Sequence, residues 1–311
     1  MSALCCPSCG GSSLSDRGQI PDAHQFAGTR VDRPLPGGHL YRCADCHLHF
    51  RYPRLAQAVI DHWYRQASPG EWAAPLSSRV DCGIAIRWIQ SVTGTGKVLD
   101  IGCHRGDLLA ALGPGYRSFG IEINGSAADI ARARGVEVIG RDFSDLGAHE
   151  GSFDVITAID VIEHVPDPLA MLGAIQRVLR PGGVAILSTG NASAWSWRMM
   201  GSRYWYCSIA EHIAFIDPSW CRRAADRLGL KVERLQLFAY AKRSMGHVFS
   251  DFIKNLTYYC APRLTAWMRR RLKAKDGAAG QSPEDHPPSW TTARDHVIVL
   301  FRKPVEVGAA S

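Results

Sequence analysis

Three acidic residues stand at the ends of three successive apolar runs. Asp100 closes the run in "VLDIGCHRG", Glu122 ends "GIE", and Asp142 follows "VEVIG" in "RDFSD". Asp100 also opens a D-x-G-x-x-x-G pattern that passes through Gly102, Cys103 and His104 to Gly106. Glycine loops between a strand and a helix hold nucleotides. Those that hold dinucleotides read G-x-G-x-x-G and place a pyrophosphate on the helix N-terminus. An acid at the mouth of the loop would repel a pyrophosphate, and suits a nucleoside-like ligand with positive charge near the loop. Glu122, 20 residues after Gly102 and followed by Ile123, can accept from both hydroxyls of a ribose. Asp142 can accept from the amino group of adenine while Phe143 packs on the ring.

S-adenosylmethionine (SAM) carries an ammonium and a sulfonium and no phosphate, so it meets these conditions together. For it to bind this way, the three acids must sit at the carboxyl ends of neighbouring strands, where doubly wound sheets hold their ligands. From residue 97 the sequence supplies that arrangement. Strand patterns "KVLDI", "SFGIEI", "VEVIG", "FDVITAI", "VAILST" and "KVERLQLF" alternate with helical patterns over 105–112, 125–134, 168–180 and 217–228. Asp217-Pro218 supplies an N-cap with proline at the first helical position, and Gly229 follows the end of that helix. Such alternation predicts an α/β fold with a doubly wound, mainly parallel sheet.

On these residues the chain resembles the class I SAM-dependent methyltransferases. The resemblance covers about 97 to 240 plus the last strand. "LDIGCHRG", "IEIN", "RDF", "FDVITAIDVIEHVPDP" and "LRPGG" occur in the family's order, and "DHVIVLFRK" matches its antiparallel seventh strand. The resemblance implies a Rossmann-like seven-stranded sheet. It also implies that Asp100, Gly102 and Gly106 line the methionine end, Glu122 holds the ribose, Asp142 and Phe143 hold adenine, and Asp160 borders the methyl group. His104 departs from the pattern, which commonly has a glycine there. Its side chain would crowd the cofactor or contact its carboxylate.

Two C-x-x-C pairs, Cys6/Cys9 and Cys43/Cys46, are separated by 33 residues. Four thiolates can close a tetrahedral zinc site with no open position, which is a structural arrangement. Cys5 could replace Cys6, and His47 or His49 could replace Cys46. The following residues, with Phe50, Pro53, Arg54 and Tyr64, resemble the zinc-ribbon head of bacterial methyltransferases of sugar and cell-surface glycan pathways. A zinc-headed relative that methylates ribosomal RNA leaves the substrate open. The expected organisation is a zinc-ribbon module at 1–52, a helical cap at 53–92, the SAM-binding domain at 93–240, a basic aromatic insert at 241–294, and the final strand with its tail at 295–311.

An alcohol acceptor must lose a proton, and His164 and His212 are the candidate bases. The first belongs to a phrase shared across the family, and the second follows the fifth strand. Nearby Trp195, Trp197, Tyr204, Trp205 and Tyr206 suggest a ring-lined acceptor pocket or lid. The insert between 241 and 275 holds nine Lys and Arg against one acid, Asp251, so it accounts for the chain's formal net charge of +7. A membrane surface, nucleic acid and a solvated lid all fit that composition, and lid with peripheral membrane contact is favoured. No apolar run reaches the ~20 residues of a membrane span, and the start lacks the features of a signal peptide. A cytoplasmic location, extending to the inner face of the membrane, is expected. The reading is O-methylation of a saccharide, a glycan intermediate or a related small molecule. Its rivals are RNA methylation, C-methylation of a ketosugar, and a non-catalytic adaptor that binds SAM and zinc.

Overall fold

The computed structural model describes residues 4–66, 75–241, 244–276 and 286–305. Five short strands come first: β1 (Leu14–Gln19), β2 (Ala23–Phe26), β3 (Thr29–Leu35), β4 (His39–Cys43) and β5 (His49–Tyr52). Helices α1 (Gln57–Gln66) and α2 (Val80–Val92) lead to the alternating region. There β6 (Gly96–Ile101), α3 (Asp107–Leu112), β7 (Tyr116–Ile121), α4 (Gly125–Ala133), β8 (Glu137–Gly140), β9 (Phe153–Ile159), α5 (Pro168–Val178) and β10 (Leu179–Gly190) follow one another. The chain continues through α6 (Trp195–Met200), β11 (Ala214–Phe215), α7 (Pro218–Leu228), β12 (Lys231–Phe238), α8 (Met245–Cys260), α9 (Pro262–Asp276) and β13 (His296–Arg302).

Seven of these strands form one sheet in the order β12-β13-β10-β9-β6-β7-β8, with β13 antiparallel to both neighbours and every other pairing parallel. This is the Rossmann-like methyltransferase fold. Side chains alternate across each strand and so feed two cores. Leu99, Ile101, Phe119, Ile156 and Ala158 pack toward α5 and α7, while Val98, Val155, Ile186 and Ile298 pack with α2 and α3. Asp217 caps α7 by accepting from the Trp220 amide at 2.8 Å, and Gly229 ends the helix at φ +65°.

The N-terminal segment has little helical or strand periodicity in sequence, yet it builds a sheet in the order β1-β4-β5-β11. The edge strand of that sheet, β11, comes from the methyltransferase part, with Phe50 opposite Ala214 and His49 opposite Phe215. Leu48 and Phe50 share the core of α7 with Trp220, whose indole donates to Ser8 at 3.2 Å. Residue 52 therefore marks a change of composition between segments that share one sheet and one core. The insert is two helices, as Pro262 requires, and its loop at 277–285 lies outside the described residues.

Candidate active site

The glycine loop takes three left-handed residues in five: Gly102 at φ +73°, His104 at +48° and Gly106 at +76°. That backbone explains the family's glycine at the middle position, since a Cβ in the left-handed region costs about 1–2 kcal/mol. His104 accepts the strain while its amide donates to Glu122 Oε2 at 2.8 Å. Glu122 Oε1 accepts from the Asn124 amide at 2.7 Å, so this buried carboxylate ties the loop to the tip of β7. Cys103 turns its thiol into the core against Gly120, leaving only its backbone on the loop. Ile123 is half exposed beside Glu122.

Asp100 ends deep under the loop, accepting from the Thr157 hydroxyl at 2.6 Å. Burial pushes its carboxyl up to about 7, the Thr157 bond opposing and the charge of Glu122 adding to the shift. At the tip of β8 Asp142 accepts from the Ser144 amide at 3.0 Å, and Phe143 leans half-buried on the first core. Beyond β9, Asp160 is itself left-handed at φ +53°. Its Oδ2 accepts from Arg79 at 2.8 Å, while Oδ1 is buried with no hydrogen-bond partner among the described residues. Burial and the neighbouring Glu163 push this carboxyl up to about 7 despite Arg79. Arg79, which the sequence reading passed over, also clamps Asp81 at 3.0 and 2.7 Å, and Tyr240 donates to the same acid at 2.8 Å. The guanidinium thus ties Asp81, at the start of α2, to Asp160 beyond β9. Its only sequence signal is "SRVD" at a helix start.

On the acceptor side His164 and His212 meet edge to face, ring centroids 4.8 Å apart. His164 Nδ1 lies 3.2 Å from the Glu211 carbonyl, and His212 Nδ1 lies 3.2 Å from the Tyr206 carbonyl. Carbonyl oxygens only accept, so each Nδ1 carries the proton and each Nε2 keeps a lone pair. Burial holds His164 below its ordinary value and His212 well below it, which keeps both rings neutral. Glu163 completes a trio whose ligand atoms all lie within 4.8 Å of one another. Tyr206 donates to Glu163 Oε1, and burial pushes the Glu163 carboxyl up. Two imidazoles and a carboxylate with open positions can hold a divalent cation. Glu211, next to His212 in sequence, turns away and accepts from the Ala27 amide at 3.1 Å.

Of the rings expected to line an acceptor pocket or lid, Tyr206 packs against His212 with ring centroids 4.3 Å apart. Trp197, Tyr204 and Tyr206 are buried in a core with Phe215, where their apolar area holds the loop together. Only Trp195 is half exposed. The sequence reading also missed Asp295 and His296, taken as the start of a strand. In the antiparallel register His296 pairs with Gly190, so it falls at the ligand end of the sheet. Its Nδ1 lies 2.9 Å from Asp295 Oδ1, and Asp295 Oδ2 accepts from Tyr204. Despite burial, that acid raises His296 above its ordinary value.

The segment carrying His212 is held from the N-terminal module. Arg51, fully buried on β5, donates to the carbonyls of Cys207, Ile209 (2.9 Å) and Ala210 (3.2 Å). Burial brings this guanidinium down to about 10, the charge of Glu211 opposing the shift. The module itself gathers the thiols of Cys6, Cys9, Cys43 and Cys46, with Cys6–Cys46 at 3.5 Å and Cys9–Cys43 at 3.6 Å. A tetrahedral zinc with bonds of ~2.3 Å spaces its sulfurs by ~3.8 Å, so the four residues fit that ion. The alternative ligands lie elsewhere: Cys5 is exposed and His47 bonds Ser219 at 2.7 Å.

A seven-stranded sheet with one reversed strand and acids at the tips of β6 and β7 defines a SAM-dependent methyltransferase. The family model described as "Methyltransferase domain" (Methyltransf_23) matches residues 48–235, and the chain belongs to that family. It is 32% identical over 176 residues to a ubiquinone biosynthesis O-methyltransferase of Thiobacillus denitrificans, a match covering 50% of this chain and 75% of that protein. The protein of the same name from Pseudomonas aeruginosa strain UCBPP-PA14 is 33% identical over 133 residues, 39% of this chain and 57% of that one. Among solved structures it is similar to a SAM-dependent methyltransferase of Methanosarcina mazei, at 16% identity and a TM-score of 0.48 over 70% of this chain and 98% of that one.

Proposed function

We propose that the chain transfers the methyl group of SAM to a hydroxyl oxygen of a small-molecule acceptor. The observation that carries this reading is the trio of Glu163, His164 and His212 next to Asp160, at the methyl end of the cofactor site. The oxygen attacks the methyl carbon in line, the carbon–sulfur bond breaks, and the sulfonium leaves as a neutral thioether. Positioning and exclusion of water supply much of the rate. The hydroxyl proton needs an acceptor, and the free Nε2 atoms of the two neutral imidazoles supply one. With a divalent cation on the trio, the bound hydroxyl would ionise at lower pH. Asp100 meets the ammonium, Glu122 the ribose, and Asp142 and Phe143 the adenine. The four cysteines hold a structural zinc.

A saccharide is the acceptor class that the zinc-ribbon head supports. The names of the relatives favour a second reading, a hydroxylated intermediate of ubiquinone biosynthesis. The chain is incubated with methyl-labelled SAM and separated glycolipid, quinone-lipid, small-molecule and RNA fractions of its source. Alkali-stable label on oxygen in the sugar-bearing fraction supports the first reading, and label in the quinone-lipid fraction the second. Label in RNA, or on carbon, overturns both.

A further inference from the structure

Helix α8 is built inside out. It buries its acid and its amide: Asp251 accepts from the Thr292 amide at 3.0 Å and the Thr292 hydroxyl at 2.8 Å, and Asn255 is fully enclosed. Phe252 and Tyr258 pack inward, but four large apolar side chains face out, with Met245 84%, Phe249 67%, Ile253 42% and Leu256 37% exposed. Steps of four, four and three residues put these on one helical face. Helix α9, packed against α8, repeats the pattern with Leu264, Trp267 and Met268, each about half exposed. A soluble surface seldom shows so much contiguous apolar area without a partner.

The charge around the stripe indicates what covers it. Lys254, Arg263 and Arg271 are exposed, and the Arg271 guanidinium lies 4.5 Å over the Trp267 ring. The one acid between 241 and 275, Asp251, is turned inward, so the described surface of that stretch carries cations, neutral polar groups and apolar groups and no carboxylate. Apolar side chains bordered by cations match the acyl boundary and headgroups of an anionic bilayer. An RNA surface would ask for cations with ring faces presented for stacking, and would leave Met245, Ile253 and Leu256 without a role. No helix among the described residues is long and apolar enough to cross a membrane, so the contact is with one leaflet.

We propose that α8 and α9 form an interfacial anchor that lays the methyltransferase on an anionic membrane surface. The proposal is independent of the acceptor reading above. The test is flotation of the full chain with phosphatidylcholine vesicles, with and without phosphatidylglycerol. Wild-type chain is expected to partition about tenfold more strongly onto the anionic vesicles, with the excess falling as salt rises. The double variant Phe249→Ser/Trp267→Ser should lose that partitioning while keeping its melting temperature and SAM affinity. Phe249→Leu, which keeps the apolar bulk, should retain it. No binding to anionic vesicles, or undiminished binding by the double variant, would overturn the proposal. It would also fail if the double variant instead dissociated a homodimer of the wild-type chain, or released it from a homopolymer RNA.

Discussion

The cofactor half of the site draws its acids from a single run of chain, Asp100 to Asp160, each at or just past the tip of a strand. The acceptor half gathers Arg51, Glu163, His164, His212 and Asp295–His296 from segments far apart in sequence and locks them with buried side-chain bonds. The first half is a product of topology. Once the parallel sheet forms, the tips must converge. The second half depends on a contact between modules, because the His212 loop is held by β5 and by the guanidinium of Arg51. Damage far from the chemistry should therefore strike the acceptor half first.

The largest effect is expected from the thiols. Replacing Cys43 and Cys46 by serine should release the metal and unfold the N-terminal sheet, since small modules of this kind take most of their folding energy from the ion. Metal content and limited proteolysis check this, and methyl transfer should vanish while SAM still binds. Arg51→Met leaves the carbonyls of Cys207 and Ala210 without their donor in the interior, while that of Ile209 keeps the His212 amide at 3.1 Å. At about 1–3 kcal/mol for each unsatisfied group, it should lower stability by several kcal/mol and the turnover with it. Melting curves and SAM calorimetry separate the two effects. If SAM affinity fell as far as turnover, the division into halves would be wrong.

Asp100 sharpens the comparison through pH. With its carboxyl at about 7 in the free protein, it is neutral below that pH and has no charge to offer the SAM ammonium. SAM affinity should be flat above pH 7 and fall up to tenfold per unit below it, as titration calorimetry would read. The stability sign is opposite. A carboxyl raised above its unfolded value binds protons more tightly in the folded state, so it destabilises the fold as pH rises from about 4 to about 7, and that penalty stays in force above 7. Asp100→Asn removes it. The variant should bind SAM at least about tenfold more weakly, yet melt higher above pH 7, by an amount on the order of a few kcal/mol. The smallest change is His104→Gly, which relieves a left-handed residue and should stabilise the chain by about 1 kcal/mol in denaturant titration.

The same contrast governs what could be read from the sequence. The positions of Asp100, Glu122 and Asp142 at the ends of β6, β7 and β8 were legible because strand ends and glycine spacing report topology directly. The four cysteines were legible from their pairing. Arg51, Arg79 and His296 were not. An arginine inside a strand, an arginine before a helix and a histidine opening a strand carry no local signal, and their roles come from what the fold brings against them. The aromatics near 195–206 were legible only in part, for a related reason. Composition shows rings without showing which side faces in: Trp197, Tyr204 and Tyr206 are all buried, and Tyr206 packs on His212.

The central claim is that the two halves are separable, one holding SAM and the other activating a hydroxyl. The most direct measurement pairs SAM calorimetry with label transfer from methyl-labelled SAM for wild type, Glu122→Ala and His212→Ala. SAM binding should weaken in Glu122→Ala. In His212→Ala SAM affinity should be unchanged, with transfer down by roughly a hundredfold or more, the scale of a lost general base. Full transfer by His212→Ala, or unchanged SAM affinity in Glu122→Ala, would contradict the central claim.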